Sequence, residues 1–254
     1  MQKIFIKYVA VIMTAAIFLI LFINGLFNSH TMRNQQYKTF QAKIDQMIHT
    51  LENNRMELAL LNENLDADYL TRARAAAYVM DRQEDVLMDV SKMQYLADLL
   101  NVDELHVIDE NGFIAYGSVS QYVGIDMADH EQTRAFLALL DSDEEDAYLI
   151  QEPQPNAAEA RMMQYVGVAR QGRKGVVQVG FEPKRQMEAQ SRNTYDYIFS
   201  RFPTDIGEEL FVVDCTTGEV LGHSEDIDRD FGREYYQLDS LLACTEGAYL
   251  PGAE

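Results

Sequence analysis

The stretch Glu104-Leu105-His106-Val107-Ile108-Asp109-Glu110-Asn111-Gly112-Phe113-Ile114-Ala115-Tyr116-Gly117-Ser118 decides how the rest of the chain is read. It predicts two short strands, Leu105–Asp109 and Phe113–Gly117, joined by a tight polar turn. Asn111-Gly112 is the dipeptide that supplies positive φ angles in such a reversal. Leu105 and Val107 fall on one side of the strand, His106 and Ile108 on the other. A lone hairpin cannot bury its apolar face, so other elements must cover it.

Working outward, three more strands are expected at Ala147–Gln151, Met162–Arg170 and Gly175–Phe181. Gln171-Gly172-Arg173-Lys174-Gly175 reads as a hairpin turn between the last two. Glu152-Pro153-Gln154-Pro155-Asn156 reads as a loop, because proline brings no ladder donor. Ahead of the hairpin, Asp66 or Asp68 is expected to cap a helix running from Ala67 to about Arg82. Its buried face would carry Ala73, Ala76, Ala77 and Met80. A second helix is expected at Val86–Leu100 and a short one at Glu131–Leu140, before the acidic run Asp141–Asp146. The order gives an α+β fold, a five-stranded antiparallel sheet with helices on one face.

Towards the N-terminus, Tyr8 to Phe27 is an uncharged run of 20 residues. At 1.5 Å per residue it matches the roughly 30 Å hydrocarbon thickness of a bilayer. A cleaved signal peptide is the rival, but Gly25-Leu26-Phe27-Asn28-Ser29-His30 is a poor cleavage site. We therefore expect an uncleaved anchor spanning about residues 4–27, with the large body extracytoplasmic. After it, Phe40, Ile44, Met47, Leu51, Asn54, Leu58, Leu61 and Leu65 repeat at alternating steps of four and three. This seam fits a coiled-coil homodimer with Asn54 fixing register, and equally a helix packed on its own domain.

The formal charge is -20, and all 41 acidic residues lie beyond residue 44. Such a body repels nucleic acid, which is excluded as a partner. Cys215 and Cys244 could pair in an exported domain or stand as two small apolar residues. After Pro183 a helix is expected to about Phe199. A second hairpin, Glu209–Asp214 and Glu219–His223, repeats the pattern Leu-x-Val-x-Asp, turn, Gly, strand. Only Gly247–Leu250 offers it a third strand.

This order of elements resembles the extracytoplasmic double Cache sensor domains of bacterial membrane receptors. The residues that carry the resemblance are the Leu105–Ser118 hairpin, the Gly124-Ile125-Asp126 step, Thr133-Arg134-Ala135-Phe136 and the closing strands Tyr165–Glu182. Glu131-Gln132-Thr133, the Gln151–Asn156 segment, Met163-Gln164-Tyr165 and Val177-Gln178-Val179-Gly180 look like the Cache domains heading GGDEF diguanylate cyclases and sensor histidine kinases of gut Firmicutes. The resemblance implies an anchor over residues 1–30, a helical stalk over 31–66, a membrane-distal PAS-like module over 67–183, and the start of a second module over 184–254. It also implies a ligand pocket between the sheet and the connecting insert. Amino-acid-binding members are similar in an Arg-x-Trp-aromatic step followed by a Tyr and an Asp. Here Arg134-Ala135-Phe136-Leu137 keeps the Arg, Tyr148 stands for the Tyr, and Gly180 or Glu182 stands where the Asp would be.

The pocket is accordingly expected at Arg134, Phe136, Tyr148, Tyr165 and Tyr116, holding a small anionic or zwitterionic ligand. A guanidinium with aromatic neighbours suits a carboxylate through bidentate pairing and stacking. The bland alternative makes Arg134 a surface charge balancing the acidic run. No catalytic motif occurs, and no cofactor or metal is expected. Asp226-Ile227-Asp228-Arg229-Asp230-Phe231-Gly232 fails as a calcium loop, with Phe231 at the obligatory Gly position. His106 reads as a structural residue. The function expected is a sensory ectodomain signalling to a cytoplasmic output enzyme, and its rival is an adhesion or scaffolding ectodomain without a ligand.

Overall fold

The computed structural model describes residues 2–224 apart from 143, 145, 206, 207, 215 and 218. The cysteine pair, the Asp226–Gly232 segment and the third strand expected at Gly247–Leu250 lie outside the described residues. The chain divides into two compact units, Met56–Arg192 and the pair of segments Met1–Arg55 with Asn193–Glu254.

The first element, α1, is one helix of 81 residues, Gln2–Arg82. The break expected at Asp66 does not occur. Its neighbours Leu65, Ala67 and Leu70 are helix-compatible, and its carboxylate is used instead to accept a hydrogen bond from Gln164 Nε2 at 2.8 Å. The apolar stretch from Met13 to Phe27 is exposed, Phe18 at 69% and Phe27 at 73%. Among the described residues this is the one helix long and apolar enough to cross a membrane.

In the Met56–Arg192 unit the helical layer comprises α1, α2 (Glu84–Leu87) and α3 (Val90–Leu100). The single helix expected at Val86–Leu100 is interrupted because Asp89 adopts an extended conformation and caps α3, accepting from Ser91 N. The sheet comprises β1 (Glu104–Ile108), β2 (Ile114–Gly117), β3 (Tyr148–Ile150), β5 (Met162–Ala169) and β6 (Val176–Phe181), ordered β2-β1-β6-β5-β3 and antiparallel throughout. The expected five-stranded α+β architecture is present. A two-residue strand β4, Gln154–Pro155, also pairs with Met162 and Met163. The proline-containing segment is thus an edge, where a missing N–H costs no ladder bond, and not wholly a loop.

The expected alternation holds in β1. Leu105 and Val107 join Val166, Val168, Val177, Val179 and Phe181 in a core against Ala73, Ala76, Met80, Met93 and Leu96. Each large side chain fully buried there stabilises by roughly 1.5–3 kcal/mol. Tyr69 stacks on Phe181 with ring centroids 3.6 Å apart. An Arg170–Asp81 ion pair, both side chains largely buried, ties the end of α1 to the β5–β6 turn. The opposite face is also covered. A segment running from Val119 through α4 (Glu131–Arg134) and a 3-10 turn, Ala135–Leu139, lays Tyr122, Met127, Phe136 and Leu139 over Ile108, Met163, Tyr165 and Val176. The β1–β2 turn takes a positive φ only at Gly112, +86°, and not at Asn111. Asp109 replaces the two-residue reversal by accepting the N–H groups of Asn111 and Phe113. The chain leaves this unit through α5, Lys184–Arg192.

In the other unit, Thr194 caps α6 (Tyr195–Ser200), so the helix expected from Pro183 to Phe199 is two helices. Strands β7 (Phe211–Val213) and β8 (Val220–His223) form the expected second hairpin. Met47 of α1 packs with Ile198, Phe199 and Leu210, and Phe40 and Leu51 flank them. Three residues of the seam, Phe40, Met47 and Leu51, thus pack on their own chain. Lys43 pairs with Asp205 at 2.9 Å and with Glu208.

Candidate functional site

The sheet face under the insert carries the most unusual chemistry of the molecule. Interior strands with both faces covered ordinarily bury apolar residues on both sides. Here β1 instead places Glu104 and His106 on the insert side, 1% and 2% exposed, and β6 places Gln178 beside them, 3% exposed. Register explains the clustering, since Glu104 pairs with Gly180, His106 with Gln178, and Tyr165 of β5 with Gly180. Gly180 has no side chain because Tyr165 and Glu104 need its space. A Cβ there would stand 2.7 Å from Tyr165 Cε1 and 3.2 Å from Glu104 Cβ.

Glu104 is the centre of this cluster. Tyr165 donates its hydroxyl to Glu104 Oε2 at 2.6 Å, and Arg161 Nη2 donates to Oε1. A buried carboxylate without such partners would cost several kcal/mol. His106 Nε2 lies 3.9 Å from Oε2, and its Nδ1 lies 3.2 Å from Gln178 Oε1. Asn156, 5% exposed, directs its amide to the hydroxyls of Tyr122 and Tyr165 at 3.4 and 3.5 Å. The His106 ring meets Tyr122 edge-on at 5.6 Å.

Burial sets the protonation states. Burial, then the negative charge of Glu104, pushes the Tyr165 hydroxyl far above its ordinary pKa, so it stays a donor. Burial lowers His106 below its ordinary value, with Glu104 and Gln178 opposing. For Arg161, burial pulls downward, but Glu104 outweighs it and holds the guanidinium above its usual range. Buried His106 Nε2 and Gln178 Nε2 have no hydrogen-bond partner. Turning the Gln178 amide over would let its NH2 donate to Nδ1 and put the imidazole proton on the nitrogen that faces Glu104. Oε1 of Gln178 would then be the unpartnered atom. Either way the cluster holds polar capacity that the protein itself leaves unused.

The five residues expected from the sequence are not brought to one place. Phe136 and Tyr165 lie in the same buried cluster under the insert. Tyr116, opposite Val107, packs with the helix-side core, and Tyr148 is 51% exposed with Arg74 5.6 Å from its ring. Alternate strand positions face opposite sides, which separates Tyr116 from Tyr165. Arg134 is exposed and donates through Nε and Nη2 to the Ala128 carbonyl at 3.0 and 2.6 Å. Glu104, Tyr122, Asn156, Arg161 and Gln178, which meet here with His106, are not among the residues expected from the sequence. The signal was available in two alternating runs, Glu104-x-His106 and Gln178-x-Gly180, each interleaved with apolar residues.

The cluster contains no nucleophile with a base. Among the described residues, no group of three His, Cys, Asp or Glu is placed to hold a metal ion. What the arrangement offers is hydrogen-bonding capacity on His106 and Gln178 beside a fixed carboxylate.

No family model and no curated protein matches this chain. Solved structures similar to it include a ligand-binding domain of a Campylobacter jejuni chemoreceptor in complex with 4-methylisoleucine. That likeness has 10% identity and a TM-score of 0.43, covering 78% of each chain. The sensor domain of the V. cholerae histidine kinase DctB is similar at 10% identity and a TM-score of 0.37, over 81% of this chain and 76% of that one. The E. coli DcuS sensor domain is similar at 12% identity and a TM-score of 0.38, over 51% of this chain and 96% of that one.

Proposed function

We propose that this chain is the sensory region of a membrane receptor, with the buried polar cluster under the insert as its ligand site. The observation that carries the reading is the pair of deeply buried, unpartnered polar atoms, on His106 and Gln178, beside a fixed carboxylate. A fold that served only as a scaffold would gain stability by filling these positions with apolar residues. The exposed apolar stretch of α1 fits an anchor in the bilayer, with the acidic body outside the cell.

The rest of the proposal follows the resemblance in sequence. Residues 67–183 form the ligand-binding module and residues 184–254 begin a second one. The ligand is small and carries charge, an amino acid or short carboxylate being the first compounds to test. Phe136 and Tyr165 contact it, and Arg134, exposed on the same insert, supplies a cation at the rim for a carboxylate. Tyr148 and Tyr116 would act from the far side of the sheet, by way of the strands that bear them. Ligand binding shifts the packing of α1 in a paired receptor and so reaches a cytoplasmic output domain, a diguanylate cyclase or histidine kinase. Such a signal requires different affinities for two packings.

The test is a thermal-unfolding screen of the full chain in detergent against amino acids, short carboxylates and small amines. One chemical class should raise the midpoint in a saturable way, and His106→Leu should abolish the shift. If no compound shifts the wild-type chain, the sensor reading falls and the ligand-free scaffold takes its place.

A further inference from the structure

The Glu104–Arg161 pair is lopsided. The carboxylate is 1% exposed, whereas the Arg161 side chain is 43% exposed. Glu104 is fixed from within by Tyr165, but Arg161 reaches it from the surface. We propose that Arg161 is a tethered plug, whose guanidinium occupies on Glu104 the place taken by the ammonium or amidinium group of a small organic amine. The inference rests on the sensor reading and names the chemical class of its ligand.

Three features of the site agree with a cation arriving here. The Glu104 carboxylate already takes a guanidinium at Oε1 and a hydroxyl donor at Oε2, so Oε1 is a place built for an N–H-bearing cation. A carboxylate entering at the same point would instead meet the like charge of Glu104 in a dry setting. The strongly acidic body draws cations and repels anions. The orphaned polar atoms of His106 and Gln178 lie next to this point and can serve a hydroxyl or amide on the same molecule.

The plug is carried by a loop closed on itself by its own hydrogen bonds. Asn156 and Arg161 close residues 156–161 on themselves. Asn156 Oδ1 accepts from Glu159 N at 2.9 Å and from Arg161 N at 3.2 Å, and Asn156 N donates to Arg161 O at 2.8 Å. Ala160 sits at φ +54°, a left-handed conformation that an alanine adopts only under constraint. Both ends of the loop touch the site, one through the Asn156 amide and the other through the Arg161 guanidinium. Displacing Arg161 therefore releases its tie and leaves those of Asn156 and of Glu159, which accepts from Gln121 Nε2, so that ligand binding is converted into a pivot of the loop about them.

The experiment is chemical rescue on the full chain in detergent, followed by circular dichroism during heating. Arg161→Ala should unfold at a lower temperature than wild type. Millimolar methylguanidinium or ethylammonium should restore part of the loss, while tetramethylammonium, which has no N–H, and acetate should not. Wild type should need at least tenfold more amine for the same shift, because Arg161 competes. Glu104→Gln/Arg161→Ala should not respond. Arg161→Gln, which keeps side-chain length, should repeat the response if the alanine variant does not fold. Equal amine response in wild type and either Arg161 variant, or none in any of them, overturns the plug. A carboxylate or neutral compound that stabilises wild type and Arg161→Gln alike would overturn it too, yet leave the sensor reading standing. No response from wild type to any compound and none from the variants to amines defeats both.

Discussion

The two hairpins of this chain are written in nearly the same local code and end in very different situations. Glu104-Leu105-His106-Val107-Ile108-Asp109 is matched by Glu209-Leu210-Phe211-Val212-Val213-Asp214. In the first, Ser118 N donates to Leu105 O at 2.8 Å and Leu105 N to Ser118 Oγ at 3.0 Å. In the second, Ser224 and Leu210 make the same two bonds at 2.8 and 3.3 Å. Each pairing shifts register one step before the turn, and in each turn an Asp carboxylate gathers backbone N–H groups. The bonds from Thr217 and Thr216 hold Asp214 below the usual carboxylate range. Yet β1 is buried along its whole length and paired with β6, whereas β7 is half-buried in a two-stranded sheet among the described residues. Glu104 is 1% exposed, and Glu209 is exposed. The difference teaches that local sequence makes the hairpin, and neighbouring strands turn one of its faces into a buried polar cluster.

The largest expected effect breaks what the first hairpin has and the second lacks. Gly180→Ala would drive a methyl group into the Tyr165 ring and Glu104, and should cost roughly 1–3 kcal/mol in denaturant unfolding of the full chain. A cost below about 0.5 kcal/mol would mean that Tyr165 is not seated against β6. Next come the two serine latches, compared directly. Ser118→Ala strands the buried Leu105 N–H and should cost about 1–2 kcal/mol. Ser224→Ala, losing a longer bond, should cost about half as much. Equal costs would show that burial of β1 does not strengthen its latch.

The last effect is a slope in pH, absent near neutrality. The folded-state pKa of His106 lies below its unfolded value of about 6.5. The buried neutral ring is therefore at no disadvantage above that pH. As pH falls below it, the unfolded chain takes up a proton that the folded chain refuses, and stability is lost through the window down to the folded pKa. Substituting the residue that the second hairpin carries, His106→Phe, should flatten unfolding free energy between pH 7 and 5 by up to about 1.4 kcal/mol per pH unit. Parallel pH profiles for the two proteins would contradict the burial of a neutral imidazole.

Local patterns were the readable part. Alternation in Leu105–Ile108, Met162–Ala169 and Val176–Phe181 marked the strands, and the 20-residue uncharged run marked the apolar end of α1. The errors fell at single polar side chains, Asp66 claimed by a distant partner and the others by backbone N–H groups close by. Asp66 has the chemistry of a cap but serves Gln164, and Asp109 rebuilds the turn that Asn111-Gly112 predicts. Asp89 and Thr194 are small cap residues inside runs that read as single helices. The site was harder still. Arg134 and Tyr148 were chosen for their chemistry along the chain, whereas Glu104, His106, Arg161 and Gln178 meet only through strand register.

By itself, then, the amino-acid order determined the α+β class, the five antiparallel strands and the repeated hairpin, because each rests on periodicity and turn chemistry within a few residues. Only the tertiary structure decided that Phe40, Met47 and Leu51 pack on their own chain and that a second layer covers the sheet. It alone decided that a glutamate, a histidine and a glutamine share one dry face. That last outcome depends on β1 lying between β2 and β6, a pairing across about seventy residues that no local preference encodes.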